Sequence, residues 1–181
     1  MFSSPTVERT LTGHKSVVYE ARWHPRRPGL IGSVSADSSL CLFDLKQSSP
    51  LINSRAHPTE ILSIDWSKYD DHVLITGACD NSVRLWDIRM IDKAIACFSG
   101  HQGAVRRVRF DPHRRDRLAS VGYDGQMRVW SLTSNYSAIN VQTDQISTDF
   151  IYGLDWNLFE RDRLVVGSWN RSIRFYESSL L

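Results

Sequence analysis

No stretch of this chain is apolar over the roughly 20 residues a helix needs to cross a bilayer. Its first residues, MFSSPTVERT, hold neither the basic start nor the apolar run of a signal peptide. Cysteine is scarce: Cys41, Cys79 and Cys97 are odd in number and show no C-x-x-C spacing. Neither a disulfide framework nor a zinc site is therefore expected, and a reducing compartment such as the cytoplasm fits. A convincing helical period is missing, as are a G-x-S-x-G elbow, an H-E-x-x-H pair, a P-loop and a dinucleotide fingerprint. The expectation is a protein with no catalytic residue, no metal and no cofactor. Charge of one sign is not in excess, with 22 Lys and Arg against 20 Asp and Glu. Local basic clusters (Arg26-Arg27, Arg106-Arg107-Arg109, Arg114-Arg115-Arg117) come without interleaved aromatics or a reading helix, so they read as solvated faces and no nucleic-acid partner is expected. Asn135-Tyr136-Ser137 and Asn170-Arg171-Ser172 match the glycosylation pattern but read as coincidence without a signal peptide.

What is present is ordinary globular composition, 41% hydrophobic and 23% charged, organised by an internal repeat. A histidine is followed 23 residues later by an aspartate and 6 residues after that by an aromatic residue, three times: His14/Asp37/Phe43, His57/Asp80/Trp86 and His101/Asp124/Trp130. A fourth, faded copy keeps only the last step, Asn170 to Tyr176, and the copies follow one another at 43, 44 and 46 residues. Within a copy the pattern is strand-like: in the second, 61–66, 73–77, 82–86 and 94–98 are short apolar runs parted by turn residues. Four strands at this period predict an all-β propeller with one blade per copy. The repeats run approximately over 12–47, 55–90, 99–134 and 145–178 of a single domain 1–181, with 5–11 as the outer strand of a preceding or closing blade. Trp23, Trp66, Phe110 and Trp156 recur at one phase and are expected as wedges between blades, each burial contributing on the order of 2 to 3 kcal/mol.

The constant spacing has a physical reading. An aspartate in the turn between second and third strands can accept a hydrogen bond from the histidine that opens the blade. A hydroxyl four residues before the aspartate (Ser33, Thr76, Ser120) and the indole of Trp86 or Trp130 can complete the network. Ser, His and Asp together invite a hydrolase triad, yet three copies at one spacing are what scaffolding looks like and a single active site does not.

Gly13-His14, Gly100-His101 and Trp86-Asp87 resemble the opening and closing dipeptides of the WD-repeat family, over essentially the whole chain. Copy one departs with Phe43-Asp44, which loses the indole donor, and copy four lacks the histidine, the hydroxyl (Val166) and the aspartate (Asn170). The resemblance implies a ring of seven blades, which at this period needs roughly 300 residues. The four copies thus either close a smaller ring or, the favoured expectation, are part of a larger one whose end faces associate with a partner.

A propeller does not by itself give function. The run AHPTEILSIDWSKYDDHVLITGACDNSVRLWDIR, then GHQGAVRRVRFDP, LASVGYDGQMRVW and IYGLDWN, is similar to the C-terminal half of the receptors for the second, N-terminal type of peroxisomal targeting signal. That resemblance implies a receptor of cytoplasm and peroxisome matrix that binds cargo proteins through an N-terminal amphipathic helix. It acts with an import co-receptor and peroxisomal docking proteins, without inserting in the membrane. Such a helix carries a basic residue and leucines along one face, so its site needs acidic groups beside an aromatic patch. The residues after each blade-opening position and before each turn aspartate are Glu60, Cys79, Tyr123, Asp149, Phe150 and Trp169. Glu60 and Asp149 could meet the basic residue, and Tyr123, Phe150 and Trp169 supply apolar area. The plainer alternatives are a solvated acid at Glu60, a turn cap at Asp149 and burial of Tyr123 and Trp169 between blades. A competing class is the adaptor of histone-chaperone or ubiquitin-ligase substrate-receptor type, which shares the ending Trp86-Asp87-Ile88-Arg89.

Overall fold

Short apolar runs ended by Asp, Asn, Ser and Gly fold as strands because neither the run length nor the residue types sustain a helix. A computed structural model describes residues 8–177. Blade 1 comprises β1 (Val18–Trp23), β2 (Leu30–Ser35), β3 (Ser39–Asp44) and β4 (Ile52–Arg55). Blade 2 comprises β5 (Ile61–Trp66), β6 (Val73–Ala78), β7 (Val83–Asp87) and β8 (Ala96–Phe98). Blade 3 comprises β9 (Val105–Phe110), β10 (Arg117–Gly122), β11 (Gln126–Leu132) and β12 (Ala138–Gln145). Blade 4 comprises, among the described residues, β13 (Ile151–Trp156), β14 (Arg163–Ser168) and β15 (Ile173–Glu177). Each blade is an antiparallel meander in chain order, and no helix occurs among the described residues.

The hairpin between second and third strands is built alike in all four blades. The carboxylate or amide oxygen of Asp37, Asp80, Asp124 or Asn170 accepts the backbone N–H two residues on, at 2.9, 3.1, 3.1 and 3.0 Å. The residue between adopts positive φ: Ser38 67°, Asn81 63°, Gly125 70° and Arg171 69°. Such Asx turns are what an acid or amide at this position provides. At Gly125 the glycine is also required for space, since a Cβ there would stand 2.0 Å from the Ser147 carbonyl oxygen.

Three apolar cores lie between consecutive blades. Trp66, Phe110 and Trp156 are each 4% exposed or less. They wedge against the preceding blade, and the indoles of Trp66 and Trp156 donate to the carbonyls of Arg22 and Arg109 at 3.1 and 3.3 Å. Trp23 departs from the expectation drawn from its phase: it is 61% exposed. Its wedge needs a blade before blade 1, and among the described residues none is there. Of the outer strand expected at 5–11, residues 5–7 lie outside the described residues and 8–11 form no strand; Arg9 instead donates to the Leu45 carbonyl of blade 1.

Two buried ionic clusters tie blades together. Glu20 of β1 accepts from Ser63 Oγ and Ile64 N of blade 2 at 2.7 and 3.0 Å. It also pairs with Arg107 and Arg109 of blade 3 at 2.6 and 2.9 Å. Arg117, buried in blade 3, pairs with Asp111 and with Asp162 of blade 4, both at 2.5 Å, and its guanidinium lies over the Trp156 ring at 4.9 Å.

Candidate functional site

The repeated residues come together as bonds inside each blade. In blade 2, His57 Nδ1 lies 3.0 Å from Asp80, His57 Nε2 lies 2.7 Å from Thr76 Oγ1, and the Trp86 indole donates to the same hydroxyl oxygen at 2.9 Å. Trp86 can only donate and an ionised Asp80 can only accept, so the protons are assigned. The hydroxyl gives its hydrogen to Nε2, and a neutral His57 donates from Nδ1. Burial pushes His57 below its ordinary value, against the pull of Asp80. Burial works to raise the Asp80 carboxyl, but donors from His57 and Ser82 outweigh it and hold the pKa at about 2. Blade 3 repeats the set, with His101 to Asp124 at 2.8 Å, His101 to Ser120 at 2.8 Å and Trp130 to Ser120 at 2.8 Å. Blade 1 keeps His14 to Asp37 at 3.2 Å and His14 to Ser33 at 2.7 Å, and Phe43 offers only a ring edge to His14.

Blade 4 holds something the sequence reading missed. Ser147 stands 23 residues before Asn170, where the other copies have histidine, and Asn170 Nδ2 donates to Ser147 Oγ at 3.2 Å. The pairing survives in reduced form with an amide and a hydroxyl.

The unrepeated residues beside these networks gather at the blade end where the turn acids lie. Tyr123 meets Phe150 at 4.6 Å between ring centroids and Tyr152 at 5.5 Å, and its hydroxyl donates to the Tyr152 hydroxyl at 3.1 Å. Trp169 stacks on Tyr152 at 5.4 Å with planes 2° apart and touches Phe150 at 5.5 Å. Four rings from blades 3 and 4 thus form one ledge, of which Phe150 and Trp169 are 40% and 63% exposed. The Arg106 guanidinium lies over Tyr152 at 5.0 Å. Burial, then the bond to Tyr152, pushes Tyr123 up to about 12, so the hydroxyl stays protonated.

Toward blade 1, exposed Glu60 accepts from Tyr19 Oη at 2.7 Å, which raises the Tyr19 pKa. Its backbone carbonyl accepts the Cys79 N–H at 2.9 Å. Burial, then the charges of Glu60 and Asp80, raise the Cys79 thiol, which makes it a poor nucleophile. Cys79 and Arg106 lie within electrostatic reach of both Tyr19 and Tyr123. Asp149 is exposed beside Phe150, and its backbone N–H, not its carboxylate, is the group bonded, to Ser147 Oγ at 2.9 Å.

Tyr19, Arg106 and Tyr152 were missing from the residues singled out by sequence. The signal was available: each precedes an inter-blade aromatic (Trp23, Phe110, Trp156) by four residues. Among the described residues no cluster of His, Cys, Asp and Glu could hold a metal ion.

The family model "WD domain, G-beta repeat" matches residues 5–44, 48–87 and 92–131. The chain is similar to the peroxisomal targeting signal 2 receptor of Saccharomyces cerevisiae, 28% identical over 92% of this chain and 55% of that protein. It is also similar to the receptor of the same name from Schizosaccharomyces pombe, 29% identical over 96% of this chain and 53% of that protein. Histone acetyltransferase type B subunit 2 of Candida glabrata is 32% identical over 66% of this chain and 28% of that protein. The chain thus spans about half the length of the two receptors and less of the histone acetyltransferase subunit.

Proposed function

The chain belongs to the WD-repeat family, and from that premise we propose that it is the cargo-recognising part of a peroxisomal import receptor. It takes the N-terminal targeting helix of matrix proteins and, with a co-receptor and docking proteins, escorts them from cytoplasm to peroxisome. The observation that carries this reading is the aromatic ledge of Tyr123, Phe150, Tyr152 and Trp169, two of whose rings are exposed, together with the exposed carboxylate of Glu60. An amphipathic helix laid across the blade end sets its leucines on the ledge and its basic residue at Glu60. Phe150 and Trp169 are the exposed members that such a helix would bury, and buried aromatics carry most of the affinity in interfaces of this kind. Asp149, beside the ledge, is a second acid for the same basic partner. The names of the two yeast receptors point the same way.

The test is binding of a fluorescent peptide with a basic residue and leucines on one face, beside a copy whose arginine is reversed to glutamate. The native peptide binds and the reversed one loses at least tenfold. Glu60→Lys weakens the native peptide while circular dichroism stays unchanged. Equal binding of both peptides sinks the reading.

The competing adaptor reading rests on Arg89, which is exposed and pairs with Asp87 at 2.6 Å beside the Trp86-Asp87 ending, and on the likeness to the histone acetyltransferase subunit. It predicts that Arg89→Ala removes co-purification of histones or a ligase adaptor, with peptide binding absent from the outset.

A further inference from the structure

The first strands of the blades carry Arg22, Arg106, Arg107 and Arg109. Arg22, Arg107 and Arg109 all pair with Glu20, at 3.1, 2.6 and 2.9 Å. Arg106, half-buried between them and the ledge rings, meets no carboxylate among the described residues. Its guanidinium lies over the Tyr152 ring at 5.0 Å, and its one hydrogen bond, to the Leu62 carbonyl, is 3.5 Å long. Most of its N–H donors are thus left to water. A ligand that covers this ring must replace that water with an acceptor or leave a dry, unpaired cation.

The acid that acts on the same neighbour does not fill the gap. Glu60 takes the Tyr19 O–H at 2.7 Å, and that bond is the chief cause that raises the Tyr19 pKa, while the charge of Arg106 opposes it. Glu60 and Arg106 form no ion pair with each other. Each is held by an aromatic neighbour, which keeps an acid and a base apart and both available.

A second donor stands beside the guanidinium. Tyr123 donates to the Tyr152 hydroxyl at 3.1 Å, and Tyr152 passes its own hydrogen to no acceptor among the described residues. Burial, then this bond, pushes Tyr123 up to about 12, so the chain of donation starts on a protonated group and ends on the Tyr152 hydrogen. A carboxylate only accepts, and its two oxygens suit a guanidinium and a hydroxyl together. Glu60, bonded to Tyr19, and exposed Asp149, next to Phe150 of the ledge, disfavour a doubly charged phosphate.

We propose that Arg106 and the Tyr152 hydroxyl form a carboxylate subsite, filled by an acidic side chain that the targeting helix carries in addition to the basic residue taken by Glu60. This rests on the receptor reading above. The helix supplies the acid because Tyr152 belongs to the ledge on which the helix lies, so whatever covers Tyr152 also removes water from Arg106. Recognition then selects a pair of opposite charges beside the leucines, and a helix with the base alone binds less well.

The test is fluorescence anisotropy of the 181-residue chain with matched peptides that share the arginine and the leucine face and differ in one residue, Glu or Gln, placed in turn at each remaining position. The readout is the ratio of the two affinities within one protein, from which any general weakening of the ledge cancels. At one position the Glu peptide binds the parent chain roughly tenfold tighter than its Gln twin, as a hydrogen bond to a charged group implies. In Arg106→Gln that ratio falls to one, and in Tyr152→Phe, which keeps the ring, it falls part of the way. A ratio of one at every position in the parent chain overturns the proposal, and so does a preference for Glu that survives in Arg106→Gln. The arginine-reversed peptide tells the two failures apart. If reversal still costs binding while Glu and Gln are alike, the receptor reading stands and the subsite falls; if reversal costs nothing, the reading falls and takes the subsite with it.

Discussion

At the scale of single residues, His57 acts as a neutral strut. His57 sits between an acceptor it must serve, Asp80, and a donor it must accept from, Thr76. Asp80→Ala strips the acceptor from His57, Ser82 and Arg84 together. A loss of about 2 kcal/mol is expected in urea denaturation, the range for leaving buried donors unpaired. The same strut carries a pH dependence whose sign follows from its direction. Because His57 is depressed from 6.5 by burial, the unfolded chain takes up a proton that the folded one refuses. This contribution is therefore complete above about pH 6.5 and is lost as pH falls through that value; His24, depressed chiefly by burial, adds in the same sense. Asp80 acts lower, its share being present above its ordinary 3.8 and lost as pH falls toward about 2. Melting temperature accordingly drops between pH 7.5 and pH 5.5, before any carboxylate of this network titrates. A flat profile over that range means that His57 and His24 take up protons alike in the folded and the unfolded chain.

At the scale of elements, the blades are not equal. Blades 2 and 3 hold their third strand by indole, hydroxyl, imidazole and carboxylate in series. Blade 4 replaces the series by one amide-to-hydroxyl bond, Asn170 to Ser147, plus the contacts of Asn170 with Ser168 and Ser172. Its third strand presents exposed Ile173 and Phe175 and, among the described residues, pairs only with β14. Asn170→Ala should cost about 1 kcal/mol, less than Asp80→Ala, because Ser168 and Ser172 are not buried and Ser147 keeps its bond from the Asp149 N–H. Amide exchange should be faster in β14 and β15 than in β6 and β7 under the same conditions. The ledge draws Phe150, Tyr152 and Trp169 from this weaker blade and Tyr123 from its neighbour, which leaves room for it to adjust to the helix proposed to bind there.

At the scale of the molecule, the clamp that spans three blades is one carboxylate. Glu20 reaches Ser63 in blade 2 and Arg107 and Arg109 in blade 3, and Arg109 is 7% exposed. Glu20→Ala leaves two guanidinium groups without their acid and should cost about 3 kcal/mol, as breaking a buried ion pair does. The check is thermal unfolding, where the transition should also broaden as blade 1 uncouples from blade 3. Much of this architecture was legible in the chain itself. A repeat with two constant spacings determined the strands, the blade count and which hydroxyl, imidazole and indole would meet, because backbone pleat and Asx turn are local and tolerate one register. Of the residues that the same phase singles out, Tyr123, Phe150 and Trp169 come into ring contact through Tyr123–Phe150 and Phe150–Trp169. Only tertiary structure decided that Trp23 stands in solvent while its three counterparts are buried, that Glu20 bridges three blades, that Arg106 and Tyr152 join the ledge, and that Tyr19 bonds Glu60. Burial of a wedge depends on the blade it faces, and ring stacking depends on how neighbouring blades are turned, and neither is a property of any single repeat.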